Sequence, residues 1–200
     1  LAMNKAGSTK EFRDALSSWQ VPTWSLVFAD IDGHIGYQCV GNIPIRKGWD
    51  RGYRQGWNPK HQWDGLVPIT AMPTMNDPPE GWIRSANNRT APDDYPYPLS
   101  GTWATGHRAR RVREMLEEKE KLSAKDFARM QMDTKSMRAV EGVPHLLAIL
   151  SLVSDERMQQ AASLLKNWDY YMKPDSTGAA IFETFFSRWV HRVAAERFDN

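Results

Sequence analysis

Two adjacent asparagines stand in the run Ser85-Ala86-Asn87-Asn88-Arg89, ahead of Pro92-Asp93-Asp94-Tyr95-Pro96. An asparagine fixed at a strand end can aim its amide N–H at a developing oxyanion, the preorganised donor that acyl transfer needs. The same pair can close a turn through side-chain to backbone bonds. The residues by themselves leave both readings open. His34, His61, His107, His145 and His191 carry rings suited to proton transfer, but no HExxH spacing joins them, and each reads first as a satisfied or solvated imidazole. Asp30 with Asp32, and Asp93 with Asp94, fit no twelve-residue calcium loop. Cys39, in an apolar strand, reads as a small core residue rather than a nucleophile. No GxSxG, phosphate loop or dinucleotide fingerprint occurs.

Two basic features remain. His107-Arg108-Ala109-Arg110-Arg111-Val112-Arg113 opens a helix, where arginines oppose the macrodipole. Glu114, Glu117, Glu118 and Glu120 sit at spacings that can pair them, which leaves room for one arginine to be buried for function. Trp49, Arg51, Tyr53, Arg54, Trp57, Lys60, His61 and Trp63 interleave rings with positive charge, as stacking platforms do. A non-catalytic module using loop 47–63 to bind a sugar, peptide or nucleic acid is therefore the alternative function. Against nucleic acid, 26 basic and 24 acidic residues leave a net charge of only +2, so no bulk field favours a polyanion or an acidic membrane. The longest nearly apolar stretch, Val143 to Val153, holds Pro144 and His145 and is too short to span a bilayer. A single cysteine excludes an internal disulfide and zinc sites built on two or four thiolates.

These residues must be held by a folded scaffold. Two hundred residues at 41% hydrophobic and 25% charged suffice for one sizeable core or two small ones. Eleven of the thirteen glycines, ten of the twelve prolines and seven of the nine tryptophans lie at or before Gly106. The composition predicts strands and ordered loops over 1–105 and helices over 106–200, packed as one unit. Ser8 with Glu11 caps a short helix bearing Phe12, Leu16 and Trp19, ended by Pro22. Two β-rich runs flank Asp32-Gly33 as a hairpin. From Gly41 to Pro79 neither periodicity holds, which predicts a long loop held down by its aromatics, and Gly81 to Ala86 reads as a further strand. In the second half, Val112, Met115 and Leu116 recur at helical spacing. So do Phe127, Met130, Thr134 and Met137, then Met158, Ala161, Ala162, Leu165 and Trp168. Ser123 with Asp126 forms a capping-box variant. The last helix carries Phe182, Phe185, Phe186, Trp189 and Val193 as a core-facing stripe.

An ordered set of short motifs then carries a resemblance. It runs Ala29-Asp30, Gly33, Ile35-Gly36-Tyr37, Gly41, Ile43-Pro44-Ile45-Arg46, Trp63-Asp64-Gly65, Asn76 with Pro78-Pro79, Ala86-Asn87-Asn88, Asp94-Tyr95-Pro96, and Arg108 ahead of Leu116-Glu117-Glu118-Lys119. The set resembles the penicillin acylase family of N-terminal-nucleophile hydrolases, from about Phe12 to Leu165-Lys166-Asn167-Trp168-Asp169 and beyond. The resemblance implies an α+β fold, part of an αββα sandwich followed by a mainly helical segment. It also implies hydrolysis of a linear amide of penicillin, cephalosporin or acyl-homoserine-lactone type through an acyl-enzyme, without cofactor. By position, Asn87 supplies an oxyanion-hole donor. Arg108 supports the active site, with Arg111 as the fallback register, and Trp24 lines the acyl pocket. The family's nucleophilic serine begins its β-chain and uses its own α-amine as base. Leu1 is no such residue, and Ser8 and Thr9 are internal, so the nucleophile is expected upstream. The expected partners are the α-chain and the rest of the β-chain of one precursor, and 1–200 alone is expected to be inactive. A calcium-ligand aspartate of some members falls near Leu99, so no metal is assigned. Family habit points to a periplasmic or secreted address.

Overall fold

The computed structural model describes residues 1–46, 52–97, 99 and 101–198. The chain forms two compact units, Leu1–Thr105 and Gly106–Asn200.

In the first unit, helix α1 (Thr9–Leu16) starts where Ser8 Oγ accepts the Glu11 N–H at 3.2 Å, while the Glu11 carboxylate accepts the Gly7 N–H at 2.8 Å. Together these satisfy backbone donors that a helix start leaves open. The helix stops at Leu16, short of Pro22. Trp19 therefore lies outside it, its indole N–H donating to the Pro22 carbonyl at 2.7 Å. Strands β1 (Trp24–Ala29) and β2 (Ile35–Val40) pair antiparallel in the register Trp24↔Val40 to Ala29↔Ile35. Gly33 turns the chain at φ +91°, and the Asp30 carboxylate accepts the N–H groups of Asp32 and His34. A short turn between strands favours such residues because only glycine adopts positive φ without steric cost.

The sheet order is β1-β2-β5, with β5 at Thr74–Asn76, so β2 is central and buried from Gly36 to Val40 while β1 forms an edge. Phe28 lies opposite Gly36, and a Cβ on Gly36 would meet the Phe28 ring at 2.4 Å. That missing side chain lets the ring lie across β2 and meet Phe12 of α1, ring centroids 4.9 Å apart. On the other face Tyr37 and Cys39 join Ile43, Val67 and Met72 in a small core, with Ile83, Tyr97 and Leu99 packed against it.

Two expectations fail in this unit. The 41–79 stretch is not one loop: β3 (Pro44–Arg46) pairs with β4 (Trp63–Leu66), and β5 joins the hairpin. Strands of three or four residues are too short to display a period, and their partners are remote in sequence. Nor do the aromatics hold the segment down, since Tyr53, Trp57 and Trp63 are exposed. Gly81 to Ala86 forms no strand. Its apolar residues, Ile83 and Ala86, are instead tucked inward from an irregular backbone.

The second unit holds α2 (His107–Leu116), α3 (Ala124–Gln131), α4 (Met137–Leu150), α5 (Glu156–Lys166) and α6 (Thr177–Phe198). Ser123 and Asp126 form the capping box, and Ser136, Asp155 and Ser176 accept N–H groups at the starts of α4, α5 and α6. The core gathers Ala139, Val143, Leu165, Trp168, Ala179 and Phe182. Gly178 is required there, because a Cβ would lie 2.5 Å from Cγ of Trp168.

The stripe read from Phe127 to Met137 is divided. Helix α3 ends at Gln131, and residues 134–136 pair instead with 170–172 through a bridge between Lys135 and Tyr171. The stripe on α6 is core-facing only at Phe182 and Phe186. Phe182 is buried and stacks with Phe186, whereas Phe185, Trp189 and Val193 are exposed within this unit. No described helix is long and apolar enough to cross a membrane.

Candidate functional site

The paired asparagines differ in their place in the fold. Asn88 closes the turn: its Oδ1 accepts the Ala86 N–H at 3.2 Å, and its Nδ2 donates to the Arg89 carbonyl at 2.9 Å. Arg89 in turn pairs with Asp93 and donates to the Pro92 carbonyl, which ties the bend to the loop that follows. Asn87 has a left-handed backbone at φ +58°, a conformation that asparagine tolerates better than other residues with a side chain. Its carbonyl accepts the Ala104 N–H at 2.8 Å. Strained backbone held from several sides is a recurrent feature of functional positions.

Asn87 and Trp24 line one cavity of about 660 Å³, within the range of small-molecule sites. Trp24 begins β1 and packs on Trp19, ring centroids 5.8 Å apart. The alternation of β1 and its register against β2 put Ser25, Val27 and Cys39 together on the opposite face of the hairpin, and these three line the cavity whose edge Trp24 borders from the strand's start. That part was readable from the hairpin pattern. Thr90 and Trp103, which also line it, had no such signal. Burial pushes the Cys39 thiol above its ordinary pKa, so it stays protonated and a poor nucleophile. Ser25 Oγ lies 2.9 Å from the Tyr37 hydroxyl. Among the described residues, no histidine lines this cavity.

Arg108, in the second unit, sits on the first turn of α2 and is exposed. The neighbouring arginines are paired as the spacing predicted, Arg110 with Glu114 and Arg113 with Glu117. Glu141 on α4 also pairs with Arg110, and Asp133 with Arg111, from outside the helix. Arg111 forms a two-pronged ion pair with Asp133, which occupies the guanidinium that the fallback register would use. Leu99 packs on the first unit's small core. Of the basic and aromatic loop, Trp49 and Arg51 lie outside the described residues, while Arg46 stacks over Trp63 at 5.9 Å.

A second cleft of about 840 Å³, lined by charged side chains including Arg13, Asp30 and Asp77, lies between α1 and the hairpin turn. His34 Nδ1 is 2.9 Å from an Asp77 carboxylate oxygen, whose other oxygen accepts the Ile35 N–H. The hydrogen bond to Asp77 raises the His34 pKa, and the nearby carboxylates of Asp77 and Asp30 add to it. A raised imidazole contributes stability below the ordinary histidine range, and that contribution disappears as pH rises through its own midpoint. In a proton NMR titration His34 is expected to hold its proton to higher pH than a free imidazole, and Asp77→Asn to lower that midpoint. An unchanged midpoint would remove the pairing.

Comparison with known proteins places this arrangement first in a fold class. The chain has the α+β fold of a thermostable penicillin G acylase from Alcaligenes faecalis, with a TM-score of 0.71 and 24% identity over 88% of this chain and 32% of that one. It belongs to the penicillin amidase family, whose model matches residues 1–199. It is 30% identical to the penicillin acylase 2 proenzyme of Pseudomonas sp. strain SE83 over 92% of this chain and 24% of that protein. It is also 30% identical to the acyl-homoserine lactone acylase QuiP of Pseudomonas fluorescens strain Pf0-1, over 96% of this chain and 25% of that protein. The chain thus spans about a quarter of the length of these relatives.

Proposed function

We propose that these residues form part of the β-chain of an acylase that hydrolyses linear amides, with the nucleophilic serine supplied by polypeptide outside them. The serine hydroxyl attacks the amide carbonyl while the serine's own α-amine takes its proton. The Asn87 side-chain N–H stabilises the oxyanion. Collapse of the tetrahedral intermediate expels the amine with that proton and leaves an acyl-enzyme, which water cleaves to the acid. Trp24 lines the acyl pocket and Arg108 supports the site near the nucleophile's amine. The partner is the remainder of the same precursor, and the proposed address is periplasmic or secreted. The observation that carries this reading is the meeting of a left-handed asparagine and Trp24 on one cavity.

The full-length precursor containing this sequence is expected to mature by self-cleavage and then release chromophore from acyl anilides, whereas purified 1–200 releases none. Turnover by 1–200 alone would overturn the location of the nucleophile. Exposure of Tyr53, Trp57 and Trp63 favours the second reading, a stacking surface for a sugar, peptide or nucleic acid. For nucleic acid that reading requires binding that weakens steeply as salt rises.

A further inference from the structure

Trp103 stands on the same cavity as Asn87 and Trp24, and the residue after it, Ala104, donates its N–H to the Asn87 carbonyl at 2.8 Å. Two constraints follow. The hydrogen bond holds the 101–105 segment against the bend that carries the candidate oxyanion donor. One peptide link then fixes how far the Trp103 backbone can move from that donor. The indole itself is not sealed in a core: it is 37% exposed, and Trp24, which lines the same cavity, is 53% exposed. Half-covered indoles on a cleft offer large apolar area at little conformational cost when a ligand covers them. The wall is therefore mixed. Trp24, Val27 and Trp103 form its apolar part, and Ser85, Asn87 and Thr90 form its polar part beside the bend.

Resting on the acylase reading above, we infer that Trp103 is a specificity-determining residue, the wall that favours amides with a bulky apolar acyl group over those with a short one. An apolar acyl group whose carbonyl reaches Asn87 must run along the cavity that Trp103 and Trp24 flank. A two-carbon acyl group ends before it can cover either indole. Because Trp103 touches the acyl group and not the oxyanion, the binding it supplies is nearly the same in the ground state and the transition state. Such uniform binding lowers KM and leaves kcat nearly unchanged. Asn87 acts in the other sense, on the transition state whatever acyl group is present.

The two roles separate in one experiment on the mature, full-length enzyme, using p-nitroanilides of acetic, hexanoic and phenylacetic acids. Trp103→Ala is expected to raise KM for the hexanoyl and phenylacetyl substrates by about tenfold or more, with kcat nearly kept and the acetyl substrate unaffected. Trp103→Phe should restore most of the loss. Trp103→Leu gives the same ranking at smaller size and serves if the alanine variant does not mature. Equal losses on all three anilides, or no loss on any, would overturn the assignment. Asn87→Ala in the same series distinguishes the underlying reading. If it keeps full kcat while Trp103→Ala still sorts acyl groups, the oxyanion role falls and the specificity role stands. If it lowers kcat alike on all three while Trp103→Ala sorts nothing, the specificity role alone falls.

Discussion

Asn87→Ala in the mature, full-length enzyme is expected to lower kcat by roughly 10² to 10³, the loss that follows removal of one oxyanion donor. Two effects enter that number and must be separated. Alanine lacks the amide, and it also resists the left-handed backbone found at φ +58°, at a cost of about 1–2 kcal/mol. Asn87→Gly isolates the first effect, since glycine adopts this conformation freely. Glycine should therefore show the same fall in kcat with less loss of thermal stability than alanine. Asn87→Asp replaces a donor with a negatively charged acceptor beside a developing negative charge, so its rate should fall at least as far. Single-turnover measurement of acyl-enzyme formation places the defect in acylation rather than in amine release. A glycine variant with undiminished acylation would remove Asn87 from the chemistry and leave its backbone as a structural feature only.

The convergence of Asn87 and Trp24 shows what a linear sequence can and cannot carry. The hairpin was legible because its apolar period and its Asp-Gly turn are local, and both strands form with the turn between them. The caps at Ser8 and Ser123 were legible for the same reason, since partner and donor lie three residues apart. Strands β3, β4 and β5 were not, because each is three or four residues long and its pairing joins segments tens of residues apart. The apolar second half of α6 misled, because periodicity reports that a face is apolar without saying what covers it. At the site, Trp24 was marked by resemblance alone, while the asparagine pair stood out as residues and the resemblance chose Asn87 from it. Trp103 carried no mark, because its place depends on one backbone hydrogen bond across sixteen intervening residues. The arginine cluster was half legible: pairs at helical spacing were expected, while Asp133 approaches from beyond α3, and only the folded chain brings it to Arg111.

That last pair yields the largest stability effect. Arg111 Nε and one terminal nitrogen donate to the two Asp133 oxygens at 2.9 and 2.7 Å, and the side chains are 12% and 9% exposed. Asp133 also accepts the Lys135 N–H at 3.2 Å, at the start of the segment that bridges to Tyr171. Asp133→Ala removes one charge and leaves the guanidinium buried against Glu114 and Glu118 at longer range. It is expected to destabilise the helical unit by about 3 kcal/mol, the lower part of the range for a broken buried pair because some water reaches both ends. Arg111→Met with Asp133→Leu, which leaves no orphaned charge, should recover much of that loss, and chemical denaturation of the wild type and the two variants measures it. The arginine's hydrogen bonds hold the Asp133 carboxyl below its usual pKa. A depressed carboxylate contributes stability above the ordinary aspartate range and loses it as pH falls through its folded midpoint. The wild-type unit should therefore weaken below about pH 4 with a steeper slope than Asp133→Asn, which has no proton to take up there. Equal slopes for the two proteins, or a single alanine variant as stable as the wild type, would show that the pair contributes nothing to holding α2 against the α3–α4 connection.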